Sequence, residues 1–158
     1  AGAYNLPFLP PGTGLLKGYG RRQGLAFRRG SDLDLPSADA FVAAVRTGRH
    51  RMVNRNPGSG TRVLIDRLLA GARPDGYTNQ PRTHHAVAAA VAQGRADWGV
   101  TLDVIARAAG LGFLFLQEEE FDFAVREDRR ERPAVAALAA LLEDPSARAR
   151  LREMGFSA

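Results

Sequence analysis

Apolar and polar positions along the chain alternate between two periods, and their order predicts a repeating α/β pattern. Tyr4 to Gly20 is broken by glycine and proline and reads as loop or irregular chain. Gln23–Phe27 is a short apolar strand flanked by arginine pairs. Asp39 to Thr47 carries Phe41, Val42 and Val45 at helical spacing, with Ser37 as N-cap and Gly48 as terminator. Arg51–Asn54 predicts a brief strand running straight into Gly58-Ser59-Gly60-Thr61. From Thr61 to Leu69, Val63, Leu64, Leu68 and Leu69 share one helical face, and Gly71 ends it. Gly76–Asn79 reads as a short strand or an extended connector. Thr83 to Gln93 is an alanine- and valine-rich helix capped by Thr83, its small side chains implying close packing on a sheet. Ala96–Val100 is a strand and Asp103–Ala109 a helix closed by Gly110. Leu111–Leu116 is a continuous apolar run and so a buried strand, and Phe121–Val125 alternates as a further strand. Pro133–Leu142 and Ser146–Met154 close the chain as helices. Strands separated by helices of this length predict a largely parallel sheet with right-handed crossovers.

Length and composition narrow the class. The 158 residues suffice for one domain with a real core. No apolar run approaches the roughly 20 residues that span a bilayer, and the first residues lack the basic start and apolar core of a signal peptide. No membrane association is expected, and a cytoplasmic location is. The absence of cysteine excludes disulfides, thiolate metal sites and cysteine nucleophiles. Net charge is +5, yet all but Lys17 of the 22 basic residues are arginine and they are scattered. No helix-turn-helix or RNA-binding signature accompanies them, so the basicity reads as compositional bias rather than a nucleic-acid footprint.

The chemistry concentrates at Asn54-Arg55-Asn56-Pro57-Gly58-Ser59-Gly60-Thr61-Arg62. A strand that turns through Gly-Ser-Gly into a helix points several unpaired N–H groups at one spot, where the helix start adds about half a positive charge. Gly58 and Gly60 let the backbone approach a ligand closely. Ser59 and Thr61 each add a hydroxyl donor, while Arg55 and Arg62 add charge. A fully deprotonated oxyanion needs this inventory of donors. The bland alternative is a capped helix after a tight turn. A P-loop is excluded by the single residue between Gly58 and Gly60, and a dinucleotide fingerprint by Val63 where a third glycine or alanine belongs. His84 and His85 are adjacent, so on a helix they diverge by about 100° and do not share a metal. Glu118-Glu119-Glu120 reads as a solvated acidic run. Ser59 lacks a nucleophile elbow and its remote candidate base His84 lacks an acid partner, so no catalytic residues, cofactor or bound metal are expected.

The order of Tyr4-Asn5-Leu6-Pro7-Phe8, Arg22-Gln23-Gly24-Leu25, Asn54-Arg55 through Arg62, then Thr83-His84 with Ala86–Val91, resembles one particular family. Gly94–Val100 and Glu119–Phe123 continue the pattern. It is the periplasmic-binding-protein-like domain of bacteria and archaea that is fused to molybdopterin-biosynthesis (molybdenum-insertion) proteins or to helix-turn-helix regulators. The resemblance implies an α/β, type II periplasmic-binding-protein-like fold: two α/β lobes about a ligand cleft, the first lobe incomplete. On this mapping about 1–30 and 113–158 form the first lobe and hinge, and about 31–112 the second lobe. Ligand contacts are then expected at Ser59, Gly60, Thr61 and Arg62, followed by Thr101 after the Trp98–Val100 strand, Thr83 and His84. Arg55 contacts ligand or an internal carboxylate, and Tyr4 and Arg22 lie near the hinge. The implied function is binding of a small oxyanion, molybdate or tungstate, in molybdenum-cofactor biosynthesis or molybdate sensing. The alternatives are an organic-anion effector domain of a transcription regulator and a non-catalytic part of a molybdenum-insertion enzyme. A fused or partner helix-turn-helix or molybdopterin-biosynthesis domain is expected. The family domain begins with strand–helix units that precede the start of this chain, so a fragment or a halved cleft is expected, with homodimerisation covering exposed first-lobe surface.

Overall fold

The computed structural model describes residues 6–158, so Tyr4 lies outside the described residues. Its elements are β1 (Thr13–Phe27), α1 (Ala38–Arg46), β2 (Met52–Val53), α2 (Gly60–Leu69), α3 (His84–Ala92), β3 (Trp98–Leu102), α4 (Asp103–Ala108), β4 (Gly112–Arg126), α5 (Pro133–Glu143) and α6 (Pro145–Glu153). They form two compact units. One comprises Arg22–Gln117, and the other comprises the chain up to Arg21 together with Glu118–Ala158.

A single mixed sheet has the strand order β2-β3-β1-β4. β2 and β3 are parallel, with Met52 opposite Trp98 and Val53 opposite Gly99. β3 and β1 are antiparallel, from Gln23 opposite Leu102 to Phe27 opposite Trp98. The expected largely parallel sheet is therefore corrected. β1 precedes the α/β units instead of following a crossover, and enters the sheet against the direction of β3.

Within the unit Arg22–Gln117, alternation along the strands sorts side chains onto two faces. Leu25 and Phe27 of β1, Met52 of β2, and Trp98 and Val100 of β3 share a core with Phe41, Val45, Ile65, Leu68 and Leu69 of α1 and α2. Ala26 and Val53 face Val87, Ala88, Ala90 and Val91 of α3 and Ala106 of α4. Ala88 and Ala90 of α3 do lie against the sheet, as the sequence implied, while Ala92 is exposed. Gly99 makes that approach possible: a Cβ there would lie 2.7 Å from Val87 and 2.8 Å from Val53. The caps expected at Ser37 and Thr83 are present, and Ser59, expected as a hydroxyl donor to ligand, instead caps α2; each of the three hydroxyls accepts a first-turn N–H.

Three further expectations change. Thr13–Gly20 is strand, not loop, because its glycines serve close strand approach. A Cβ at Gly18 would collide with the Phe121 carbonyl oxygen, and the Gly18 N–H donates to the Asp122 carboxylate at 3.2 Å. Leu111–Leu116 and Phe121–Val125 belong to one continuous strand, β4, whose acidic run lies inside it. Phe113–Leu116 is half-buried or exposed rather than fully buried, since β4 is an edge strand. Gly76–Asn79 is a turn closed by Tyr77 N–H to Pro74 O and Asn79 N–H to Gly76 O, not a strand.

In the second unit, Tyr19 packs against Phe121 and Phe156 with ring centroids 5.6 and 5.1 Å apart. Arg21 stacks over Phe121 at 4.3 Å and donates to Glu119 from Nε at 2.9 Å. Gly20 and Ser157 exchange backbone hydrogen bonds of 2.6 and 2.9 Å, fastening the residues after α6 to β1.

Candidate functional site

The carboxyl ends of the parallel pair β2 and β3 open between α2 on one face of the sheet and α3 on the other. In open α/β sheets that position is where ligands bind. Chain direction explains the convergence. β2 runs into Asn54 and Arg55, the loop 56–59 turns with Gly58 at φ 82°, and Ser59 starts α2. The chain returns to cap α3 at Thr83, and β3 ends beside both helix starts.

Four connections join these parts, all within the unit Arg22–Gln117. Gln23 Nε2 donates to Thr61 Oγ1 at 3.3 Å, tying β1 to the first turn of α2. Thr101 Oγ1 donates to the His84 carbonyl at 3.1 Å, tying β3 to the first turn of α3. Arg55 Nη1 lies 3.1 and 3.0 Å from the two ring nitrogens of His84, and Nη2 donates to Arg82 O at 3.2 Å. Arg62 Nη1 donates to Arg55 O at 3.2 Å. Gln23, Asn54, Arg55, Thr61 and Thr101 are buried, whereas Gly60 and Thr83 are exposed and His84 is half-buried. A layer of polar groups thus lies beneath two exposed helix starts. Ser59 and Thr83 cap the Arg62 and Ala86 N–H groups respectively. The earlier N–H groups, on Gly60 and Thr61 of α2 and on His84 and His85 of α3, precede the first intrahelical bonds.

Not every candidate points the same way. The Ser59 hydroxyl is occupied within the loop, accepting from Arg62 N–H at 3.2 Å and donating to Asn56 O at 3.0 Å. Arg62 folds back along its own helix: Nε reaches both oxygens of Asp66 at 2.8 and 2.9 Å, Nη2 donates to the Tyr77 hydroxyl at 2.6 Å, and the guanidinium lies 4.6 Å from that ring. Burial works against the Arg62 charge, but its hydrogen bonds to Asp66 and Tyr77 outweigh that and raise its pKa. Arg22 joins a different set. Its Nη1 shares Asp103 Oδ2 with Arg107, at 3.3 and 2.8 Å, and stacks 4.8 Å from Phe115. It lines a groove of about 440 Å³ beside β4 with Phe27, Arg29 and Phe113.

Two buried polar residues beside the crevice, Asn54 and Gln23, were not among the residues expected to contact ligand. Asn54 donates from Nδ2 to Tyr77 O at 3.0 Å and accepts the Arg55 N–H at 2.9 Å, which fixes the turn out of β2. Gln23 Oε1 is buried with no hydrogen-bond partner among the described residues. Rotating the amide by 180° lets the Thr61 hydroxyl donate to Oε1 and frees Nε2 as a donor. The signal was available for Gln23: alternation with Leu25 and Phe27 places it on the core face, where a polar side chain demands a partner.

Among the described residues no group of three or more histidines and carboxylates is placed to hold a metal. No helix there is long and apolar enough to cross a membrane. The arrangement offers neutral and cationic donors, the chemistry of anion binding.

Comparison with known proteins identifies the fold. Residues 1–143 match the family described as a PBP superfamily domain. The chain belongs to the PBP superfamily. Its mixed α/β sheet is similar to those of type II periplasmic-binding-protein-like domains. The uncharacterized protein YvgK of Bacillus subtilis (strain 168) is 36% identical over 80 residues, covering 48% of this chain and 26% of that protein. The chain thus matches about a quarter of that relative's length. Among solved structures, L-phospholactate-bound PEB3 superposes with a TM-score of 0.64 at 11% identity, covering 91% of this chain and 68% of that one. The regulatory domain of CcmR from Synechocystis PCC6803, in complex with 2-PG, gives 0.61 at 16% identity, covering 87% and 72%. At these identities the likeness is one of fold.

Proposed function

We propose that this PBP domain binds a small oxyanion at the crevice between the first turns of α2 and α3. One observation carries the reading: Arg55, from the end of β2, reaches the first residue of α3 while its carbonyl is held by Arg62 of α2. Two helix starts and a guanidinium are thereby gathered at the carboxyl ends of parallel strands. The contacting groups are the N–H donors of Gly60, Thr61 and His84, with Arg55 supplying charge. Ser59, Arg62, Thr83 and Thr101 hold those donors in place.

Two ligand classes share this chemistry. The order of motifs along the chain favours molybdate or tungstate, in a protein of molybdenum-cofactor biosynthesis or molybdate sensing. The L-phospholactate bound to PEB3 and the 2-PG in complex with the CcmR regulatory domain favour a phosphorylated organic anion as effector of a regulator. Isothermal titration with molybdate, tungstate, sulfate, phosphate and L-phospholactate distinguishes them. Heat with the metal oxyanions alone supports the first class; heat with L-phospholactate alone supports the second. Arg55→Gln is expected to weaken the active ligand about tenfold to 100-fold, the equivalent of a hydrogen bond to a charged group. No heat with any of the five sinks the proposal.

A further inference from the structure

In the polar layer under the helix starts, Gln23 and Thr61 form a buried pair with more donors than the protein uses. Gln23 stands opposite Leu102, the last residue of β3, so it lies at the carboxyl end of that strand. Alternation with Leu25 and Phe27 turns its side chain to the sheet face that α1 and α2 cover. There its amide nitrogen lies 3.3 Å from the hydroxyl of Thr61, the second residue of α2. Gln23 is fully buried and Thr61 is 3% exposed. The pair thus sits between the end of β3 and the first turn of α2, where the Gly60 and Thr61 N–H groups lack intrahelical partners.

A hydroxyl has one hydrogen to donate and a primary amide has two. The bond between Gln23 and Thr61 takes up one of them. With Nε2 donating to Thr61 Oγ1, the hydroxyl hydrogen and the second amide hydrogen are left over, and Oε1 has no partner. With the amide turned over, the hydroxyl donates to Oε1 and both Nε2 hydrogens are left over. Among the described residues, no acceptor takes up either remainder. The surplus of donors is therefore independent of which way the amide faces. A buried donor without an acceptor costs stability, and leucine and valine of similar shape would occupy the same space without that cost.

We infer that the Gln23–Thr61 pair is a further contact of the crevice, giving a side-chain hydrogen to an oxygen of the bound anion. This rests on the oxyanion reading proposed above and extends it. The N–H groups of Gly60, Thr61 and His84 hold the anion from the helix starts, and the pair adds a neutral donor from the sheet side. An oxyanion oxygen, rich in lone pairs, is the partner that a surplus of donors fits. The ligand-free protein carries the unused donors as a local cost in stability, and the anion removes that cost on binding.

The double substitution Gln23→Leu with Thr61→Val replaces both partners by apolar side chains and separates a binding role from a structural one. Thermal unfolding without ligand is expected at or above the wild-type Tm, because removing both members of a buried polar pair is nearly neutral or stabilising. Isothermal titration uses molybdate, tungstate, sulfate, phosphate and L-phospholactate. Whichever of these the wild type binds is expected to bind the variant at least about tenfold more weakly, the worth of a hydrogen bond to a charged group. A smaller loss of affinity overturns the inference and leaves the crevice reading standing, the donors then being met by water. A Tm lowered by more than about 3 °C also overturns it, because the pair then serves the fold. A wild type that gives no heat with any of the five overturns the crevice reading and this inference together.

Discussion

Removing the Ser59 hydroxyl separates scaffold from ligand contact. Ser59 Oγ satisfies the Arg62 N–H at 3.2 Å and donates to Asn56 O at 3.0 Å, so the hydroxyl serves the loop and the helix start. Losing an N-cap of this kind costs about 0.5–2 kcal/mol, typically about 1. For a domain of this size, about 1 kcal/mol lowers Tm by about 2–4 °C. Ser59→Ala is therefore expected to melt about 3 °C lower by circular dichroism. Ser59→Gly is expected to lose only a few tenths of a kcal/mol, because glycine leaves the cap N–H open to water. Affinity follows a different course. A hydroxyl touching an oxyanion directly is worth about 1.5–3 kcal/mol, at least about tenfold in affinity. The observed bonding predicts a loss of about threefold or less for whichever anion gives heat. A Ser59→Ala variant with unchanged Tm and affinity lowered tenfold or more would refute this assignment and make Ser59 a direct ligand contact.

Three other expectations rest on packing and charge. Gly18→Ala places a Cβ against the Phe121 carbonyl, so about 1–3 kcal/mol of stability should be lost, measured by urea unfolding. Wild-type stability would show that β1 and β4 separate there easily. Phe41 is fully buried between Phe27 and Trp98, at ring distances of 5.4 and 5.9 Å, and Phe41→Ala should cost about 3–5 kcal/mol in the same assay. A cost below about 1 kcal/mol would mean the core refills the space. Hydrogen bonding and charge from Arg51 hold the Asp75 carboxyl below its ordinary pKa. A carboxyl whose folded pKa is depressed contributes stability above its unfolded pKa and loses it as pH falls through the folded value. Arg51→Gln should thus flatten the decline in stability below about pH 4. An acid limb identical to wild type would show that the exposed pair contributes nothing.

What was legible in the sequence is what depends on neighbours along the chain. Ser37, Ser59 and Thr83 start helices because a hydroxyl can satisfy a first-turn N–H three residues on, and that logic is local. The period of apolar residues located α1, α2 and α3, and the brief strand entering Gly-Ser-Gly-Thr located the crevice. Three features needed the third dimension. Gly14, Gly18 and Gly20 read as loop because a glycine that admits a turn and one that admits a neighbouring strand look alike in one dimension. The sheet became mixed because the direction of β1 is set by which strand it meets. Ser59 and Arg62 proved to be engaged, by their near neighbours Asn56 and Asp66 and, for Arg62, by Tyr77, which the fold returns from 15 residues further along the chain. Local chemistry therefore determined where this protein's helices begin and which loop presents its donors. Tertiary structure decided which of those donors were already occupied, because hydrogen-bond partners distant in sequence are chosen by packing.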